Sequence, residues 1–157
     1  MTFPKRCKKG VKLQHTCCYV PPMAGADACI NSIAGDMAKR IMVVDDSATL
    51  RGAVCGALND AGYEVVEATD GKDALEKLDG RPLDLMICDV LMPGMDGIAL
   101  VKEVKRLADY RFVPIIMLTT ESSEESKEAG QIAGAKAWVV KPFRPAQILR
   151  AVSKLMP

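Results

Sequence analysis

The chain has 157 residues, 49% hydrophobic and 26% charged, with a formal net charge of +1. That is one domain's worth of core, and the charge balance gives no electrostatic case for nucleic acid or an anionic membrane surface. Its longest apolar runs, such as Pro114–Leu118, fall far short of the roughly 20 residues of a spanning helix, so a place in the cytoplasm is expected.

The first 36 residues differ from the remainder. Five basic residues against Asp27 and Asp36 give them +3, which leaves −2 for the rest. No helical or strand period runs through them, and Pro21–Pro22 stops the run Cys17–Val20 before it could serve as a secretory core. Cys7, Cys17, Cys18, Cys29 and His15 lack the Cys-x-x-Cys pairing of a zinc finger or ribbon. Residues 1–36 are therefore expected to be a disordered or non-native N-terminal extension, and residues 37–157 to be the working domain.

From Arg40 onward strand and helix patterns alternate. Ile41–Val44 is an apolar run ending in Asp45–Asp46; Ser47 then stands where an N-cap belongs, and Leu50, Val54, Ala57, Leu58 and Ala61 recur at helical spacing up to Gly62. Val65–Val66 begins a second strand, Thr69–Gly71 a turn, and Ala74, Leu75 and Leu78 a short helix closed by Gly80. The third strand, Leu83–Cys88, runs into Asp89 and the loop Val90–Gly97, after which Leu100, Val101, Val104, Leu107 and Ala108 define a helix face. Pro114–Leu118 is a fourth strand ending in Thr119–Thr120, and Ser122 with Glu125 is a capping-box signature. Ala137–Val140 is a fifth strand ending in Lys141–Pro142, and Pro145 suits the first turn of a last helix carrying Ile148, Leu149, Val152, Leu155 and Met156. Cys55 and Cys88 read as buried small hydrophobes in a reducing compartment.

Five β–α units imply an α/β fold with a doubly wound parallel sheet. The carboxyl ends of its strands share one edge, where such folds place their chemistry. Asp45, Asp46, Asp89, Thr119 and Lys141 all fall there. Singly each is ordinary: an Asp–Asp pair is most often a solvated turn, and a lone lysine a surface charge. Together, three carboxylates repel unless a hard cation such as Mg²⁺ joins them. An ammonium and a hydroxyl aimed at one carboxylate then suit phosphoryl transfer onto that carboxylate. Asp70–Gly71 and Asp96–Gly97 read only as turns, and the glutamates from Glu121 to Glu128 as a solvated face.

Four ordered motifs resemble the receiver domains of two-component response regulators, particularly the stand-alone CheY-like chemotaxis regulators. They are Val43–Ser47, Ile87–Gly97, Leu118–Glu121 and Trp138–Phe143, and the likeness extends from about Ala38 to Met156. The resemblance implies the flavodoxin-like strand order 2-1-3-4-5, for which such receivers are a standard illustration. It also implies Asp89 as phosphoacceptor, Mg²⁺ held by Asp45, Asp46, Asp89 and the backbone carbonyl of Leu91, and Asp45 acting partly through a metal-bound water. Thr119, flanked by Thr120, and Lys141 would contact the phosphoryl group. The bond before Pro142 would be cis, and Trp138 would be the aromatic switch that alters a surface of the fourth helix, fifth strand and fifth helix. Leu91, apolar where some chemotaxis members carry Asn, Glu121 and the bulky Thr120 stand where such proteins vary.

The implied partners are a CheA-like sensor histidine kinase, a flagellar motor switch protein or a histidine-phosphotransfer protein, and a phosphatase; a monomer is expected. A chain that ends after the fifth helix is expected to act by binding rather than through a covalent output domain. No enzyme activity is expected beyond Mg-dependent self-phosphorylation and self-dephosphorylation of the aspartate. A phosphorelay intermediate or phosphate sink is the alternative. A haloacid-dehalogenase-type hydrolase is excluded, because Asp two residues after the nucleophile is missing: Leu91 follows Asp89, and Ala48 follows Asp46, at that spacing.

Overall fold

Runs such as Arg40–Val44, Leu85–Asp89 and Ile115–Thr119 are buried along their whole length. That pattern belongs to strands covered by helices on both faces. The computed structural model describes residues 38–120 and 124–156, the side chains of residues 124–126 excepted. In chain order the elements are β1 (Arg40–Val44), α1 (Ala48–Asp60), β2 (Glu64–Ala68), α2 (Gly71–Glu76), β3 (Leu85–Asp89), α3 (Gly97–Arg106), β4 (Ile115–Thr119), α4 (Glu124–Ala133), β5 (Ala137–Val140) and α5 (Pro145–Leu155). All strands are parallel, in the order β2-β1-β3-β4-β5, as the resemblance implies.

Alternate residues of the central strands feed two cores. Met42, Val44, Met86, Cys88, Ile115 and Met117 face α2, α3 and α4. Ile41, Val43, Leu85, Ile87, Ile116 and Leu118 face α1 and α5, where Val54, Leu58, Ile148 and Val152 meet them. Each fully buried Leu or Ile contributes about 1.5–3 kcal/mol. The edge strands β2 and β5 are only part-buried.

Local signals place the ends. The Ser47 hydroxyl accepts from Leu50 N at 3.5 Å and opens α1; Asp70 opens α2, accepting from the amides of Lys72 and Asp73. Pro145 starts α5, where Arg144 N donates to the Gln147 side chain at 2.7 Å. Gly62 ends α1 with φ +88.

Several boundaries differ from the sequence reading by a residue or more, and three of the differences bear on packing. The third strand begins at Leu85 rather than Leu83 and takes in Asp89, because Asp84 turns aside: its carboxylate accepts from Arg40 N at 2.7 Å. The second helix ends at Glu76, so Leu78 packs on the core from beyond it. The third stops at Arg106, leaving Leu107 in an extended conformation and exposed, with Ala108 exposed as well. The chain turns there to bury Tyr110, whose hydroxyl accepts from Gly80 N at 2.8 Å and donates to the Arg81 carbonyl at 3.1 Å. The N-terminal extension and the Ser122–Glu125 capping box lie outside the described residues and side chains.

Candidate functional site

The carboxyl ends of β1, β3, β4 and β5 bring polar residues to the rim of an otherwise apolar sheet. Asp45, just past β1, is fully buried and held on every side. Its amide donates to the Ala68 carbonyl at 3.3 Å, and its Oδ1 accepts from Ser47 N at 2.8 Å. Its carbonyl accepts from the Arg51 guanidinium at 2.7 Å, and Arg51 in turn pairs with Glu67 at 3.2 Å. Asp46 beside it is exposed.

Asp89 closes β3 and is nearly buried. Beyond it Val90 N donates to the Leu118 carbonyl, and Gly97 N to the Val90 carbonyl, each at 2.9 Å. These bonds draw the start of α3 against the strand end so closely that a Cβ on Gly97 would overlap the Asp89 carbonyl oxygen. Asp96, which the sequence suggested was only a turn residue, is the N-cap of this helix, accepting from Ala99 N at 2.6 Å. Leu91 N donates to Asp89 Oδ1 at 3.4 Å, while the Leu91 side chain is 55% exposed.

Lys141 follows β5 and reaches back across the rim. Its Nζ donates to Asp89 Oδ2 at 2.8 Å and to Asp45 Oδ2 at 3.0 Å. Burial raises the Asp89 pKa; the Lys141 hydrogen bond and charge work against this without cancelling it. Burial also disfavours the Lys141 ammonium, but its bonds to Asp89 and Asp45 together with their charges outweigh that loss, and its pKa is raised. The pair is therefore an ion pair whose ammonium keeps its proton throughout the physiological range.

One carboxylate oxygen from each of Asp45, Asp46 and Asp89 can be chosen so that all lie within 4.8 Å of one another. Three carboxylates and one ammonium leave a charge of −2, which a divalent cation would cancel. Oxygen-only donors with one exposed member suit Mg²⁺, which retains several waters. Receiver-type sites hold Mg²⁺ with acidic residues of this kind, and the residues present fit it.

The other predicted positions fall in or just beyond β4 and β5. Thr119, ending β4, is buried, and its carbonyl accepts from Lys141 N at 2.7 Å; Thr120 beside it is exposed. The Lys141–Pro142 peptide bond is cis. Trp138 lies in β5 opposite Met117 and packs on the α2–α4 core. Cys88 is buried, its thiol donating to the Asp89 carbonyl at 3.1 Å, and burial pushes its pKa far up, so it carries no thiolate chemistry.

Sequence reasoning missed Arg51 and Gly97. Arg51 stands three, four and seven residues before the buried Val54, Cys55 and Leu58, so helical spacing puts it on the inward stripe of α1 but does not show it reaching the Asp45 carbonyl. An Asp-Gly pair ahead of an apolar period could have been read as N-cap plus close-approach glycine.

Comparison with known proteins agrees with this geometry. Residues 41–153 match the family model described as the response regulator receiver domain. The chain is 41% identical over 113 residues to chemotaxis protein CheY1 of Helicobacter pylori, spanning 71% of this chain and 90% of that protein. It is 37% identical over 120 residues to the phosphate regulon transcriptional regulatory protein PhoB of Escherichia coli, 76% of this chain but only 52% of PhoB, so it spans about half the length of that relative. Among solved structures, chemotaxis protein CheY4 of Vibrio cholerae superposes with a TM-score of 0.73 at 44% identity, over 76% of this chain and 99% of that one.

Proposed function

Since the chain belongs to the response regulator receiver domain family, we propose that it accepts a phosphoryl group on Asp89 from a CheA-like sensor histidine kinase. In this reading the phosphorylated form switches binding to a flagellar motor switch protein. The observation that carries the chemistry is Lys141 bridging Asp89 and Asp45 beside a third carboxylate. An Asp89 carboxylate oxygen attacks phosphorus as the phosphorus–nitrogen bond to the kinase histidine breaks, and the bonding pair returns to the imidazole. Lys141 then follows the charge from the carboxylate to the phosphoryl oxygens, and the Thr119 hydroxyl donates to another. Asp45, Asp46, Asp89 and the Leu91 carbonyl would hold Mg²⁺, which would supply the remaining charge neutralisation. Water later attacks phosphorus and breaks its bond to the Asp89 oxygen, releasing inorganic phosphate and the free carboxylate, at a rate that exposed Leu91 and Thr120 influence by governing access; a separate phosphatase is a natural further partner. The protein turns over no other substrate, and it works as a cytoplasmic monomer. Among the described residues no helix is long and apolar enough to cross a membrane.

Chemotaxis is supported by similarity along 90% of CheY1 and 99% of CheY4. Identity to PhoB, a transcriptional regulator, favours a second reading in which the receiver serves another output, relay or phosphate sink among them. Incubation with radiolabelled acetyl phosphate and Mg²⁺ should label the wild type and leave Asp89→Asn unlabelled; equal labelling sinks the assignment. A pull-down with beryllofluoride-activated protein decides the output. Capture of motor switch protein supports chemotaxis, and capture of a histidine-phosphotransfer protein alone supports relay.

A further inference from the structure

The indole of Trp138 rests on α4 at Gly130. A Cβ built on Gly130 would overlap the ring at Cζ2 and lie 2.7 Å from Cη2 and 3.3 Å from Cε2. No side chain, not even a methyl group, coexists with this ring position. Glycine is otherwise a poor choice there: it sits inside a helix, where it is unfavourable, and it is not among the glycines with positive φ. The backbone does not call for it; the ring does.

Trp138 Nε1 is buried with no hydrogen-bond acceptor among the described residues. A buried donor without a partner opposes the packing that buries it, while contact with the α2–α4 core favours it. Seated, the ring gains packing and forfeits a hydrogen bond; released, it regains water at Nε1 and forfeits the packing.

We infer that Gly130 is the positioning residue for Trp138: its bare backbone on α4 is the seat for the indole of β5. Any use of the seat in signalling rests on the phosphoacceptor reading above, but the seat itself does not.

The test substitutes Gly130→Ala in the full chain, where Trp138 is the only tryptophan. In the unphosphorylated protein its emission should move to the red and acrylamide quenching should rise several-fold, as the ring leaves its seat. Melting supplies the control that a merely structural glycine would not reproduce. In a Trp138→Ala background the same Gly130→Ala change should raise Tm by about 3 °C, because alanine is the better helix former. In the wild-type background it should lower Tm.

Unchanged emission and quenching in a folded Gly130→Ala protein, or an equal rise of Tm in both backgrounds, overturns the seat. Should Gly130→Ala not fold alone, folding of the double variant identifies the ring as the obstacle, and failure of both overturns the proposal. Asp89 labelling is followed in the same samples. Its absence in wild type strikes the phosphoacceptor reading only, while unmoved Trp138 emission strikes the seat only.

Discussion

At the scale of single residues the site is a balance of unlike charges in a place with little water. Lys141, Asp45 and Asp89 are nearly buried, so removing the ammonium leaves two carboxylates facing one another without compensation. Lys141→Met should lower stability by about 3 kcal/mol in urea unfolding with chelator present, and Mg²⁺ should restore part of the loss. Metal binding will depend on pH in a defined direction. Burial raises the Asp89 pKa above the ordinary carboxylate value, so the proton competes with Mg²⁺ at higher pH than usual. Affinity should be full above that raised value and fall by about tenfold per pH unit below it, read from titrations of Trp138 fluorescence. A profile flat to the ordinary carboxylate range would contradict the burial of Asp89. Asp45, Asp46, Asp89, Thr119 and Lys141 were legible in the sequence because each interrupts an apolar strand with a group that needs a partner. Arg51 and Gly130 were not, since one acts on a main-chain carbonyl and the other through an absent atom, and neither leaves a period or motif.

At the scale of elements, the helices differ in how much room they leave. Gly97 opens α3 directly against the Asp89 carbonyl, whereas Gly52 in α1 has nothing within 4 Å of a would-be Cβ. The same substitution should therefore have opposite signs. Gly97→Ala should destabilise by about 2 kcal/mol and weaken Mg²⁺ binding by displacing the end of β3. Gly52→Ala should stabilise by about 1 kcal/mol with the metal affinity unmoved. Chemical unfolding and Mg²⁺ titration of the two variants check both statements. Strand and helix existence could be read from apolar runs and spacing at nine elements and from a capping-box signature at α4, but the end of α3 could not be read. Leu107 and Ala108 continue the helical spacing perfectly well; what stops the helix is Tyr110, whose buried hydroxyl bonds to Gly80 and Arg81, some thirty residues earlier. Local pattern contains no trace of a partner so distant.

At the scale of the molecule, the site ties together strands that the chain lays down far apart. A ligand bound only by the native state stabilises it, by about 2.7 kcal/mol at a hundred times its dissociation constant. Tm should thus climb with Mg²⁺ concentration, and Asp46→Asn, which alters an exposed candidate ligand without disturbing the core, should flatten that climb. The order of the strands was beyond the reach of alternation, which fits several arrangements equally well; the resemblance supplied it, and the registers of β1 with both β2 and β3 bear it out. That arrangement has a consequence for synthesis. Asp45 and Lys141 are 96 residues apart yet meet at 3.0 Å. A nascent chain thus carries its acidic trio well before its counterion leaves the ribosome. Until β5 docks on the far edge of the sheet, the trio lacks the lysine that would steady a phosphoryl group. On the phosphoacceptor reading, competence to receive a phosphoryl group therefore arrives with β5 and α5, so that a half-folded copy would compete poorly for it.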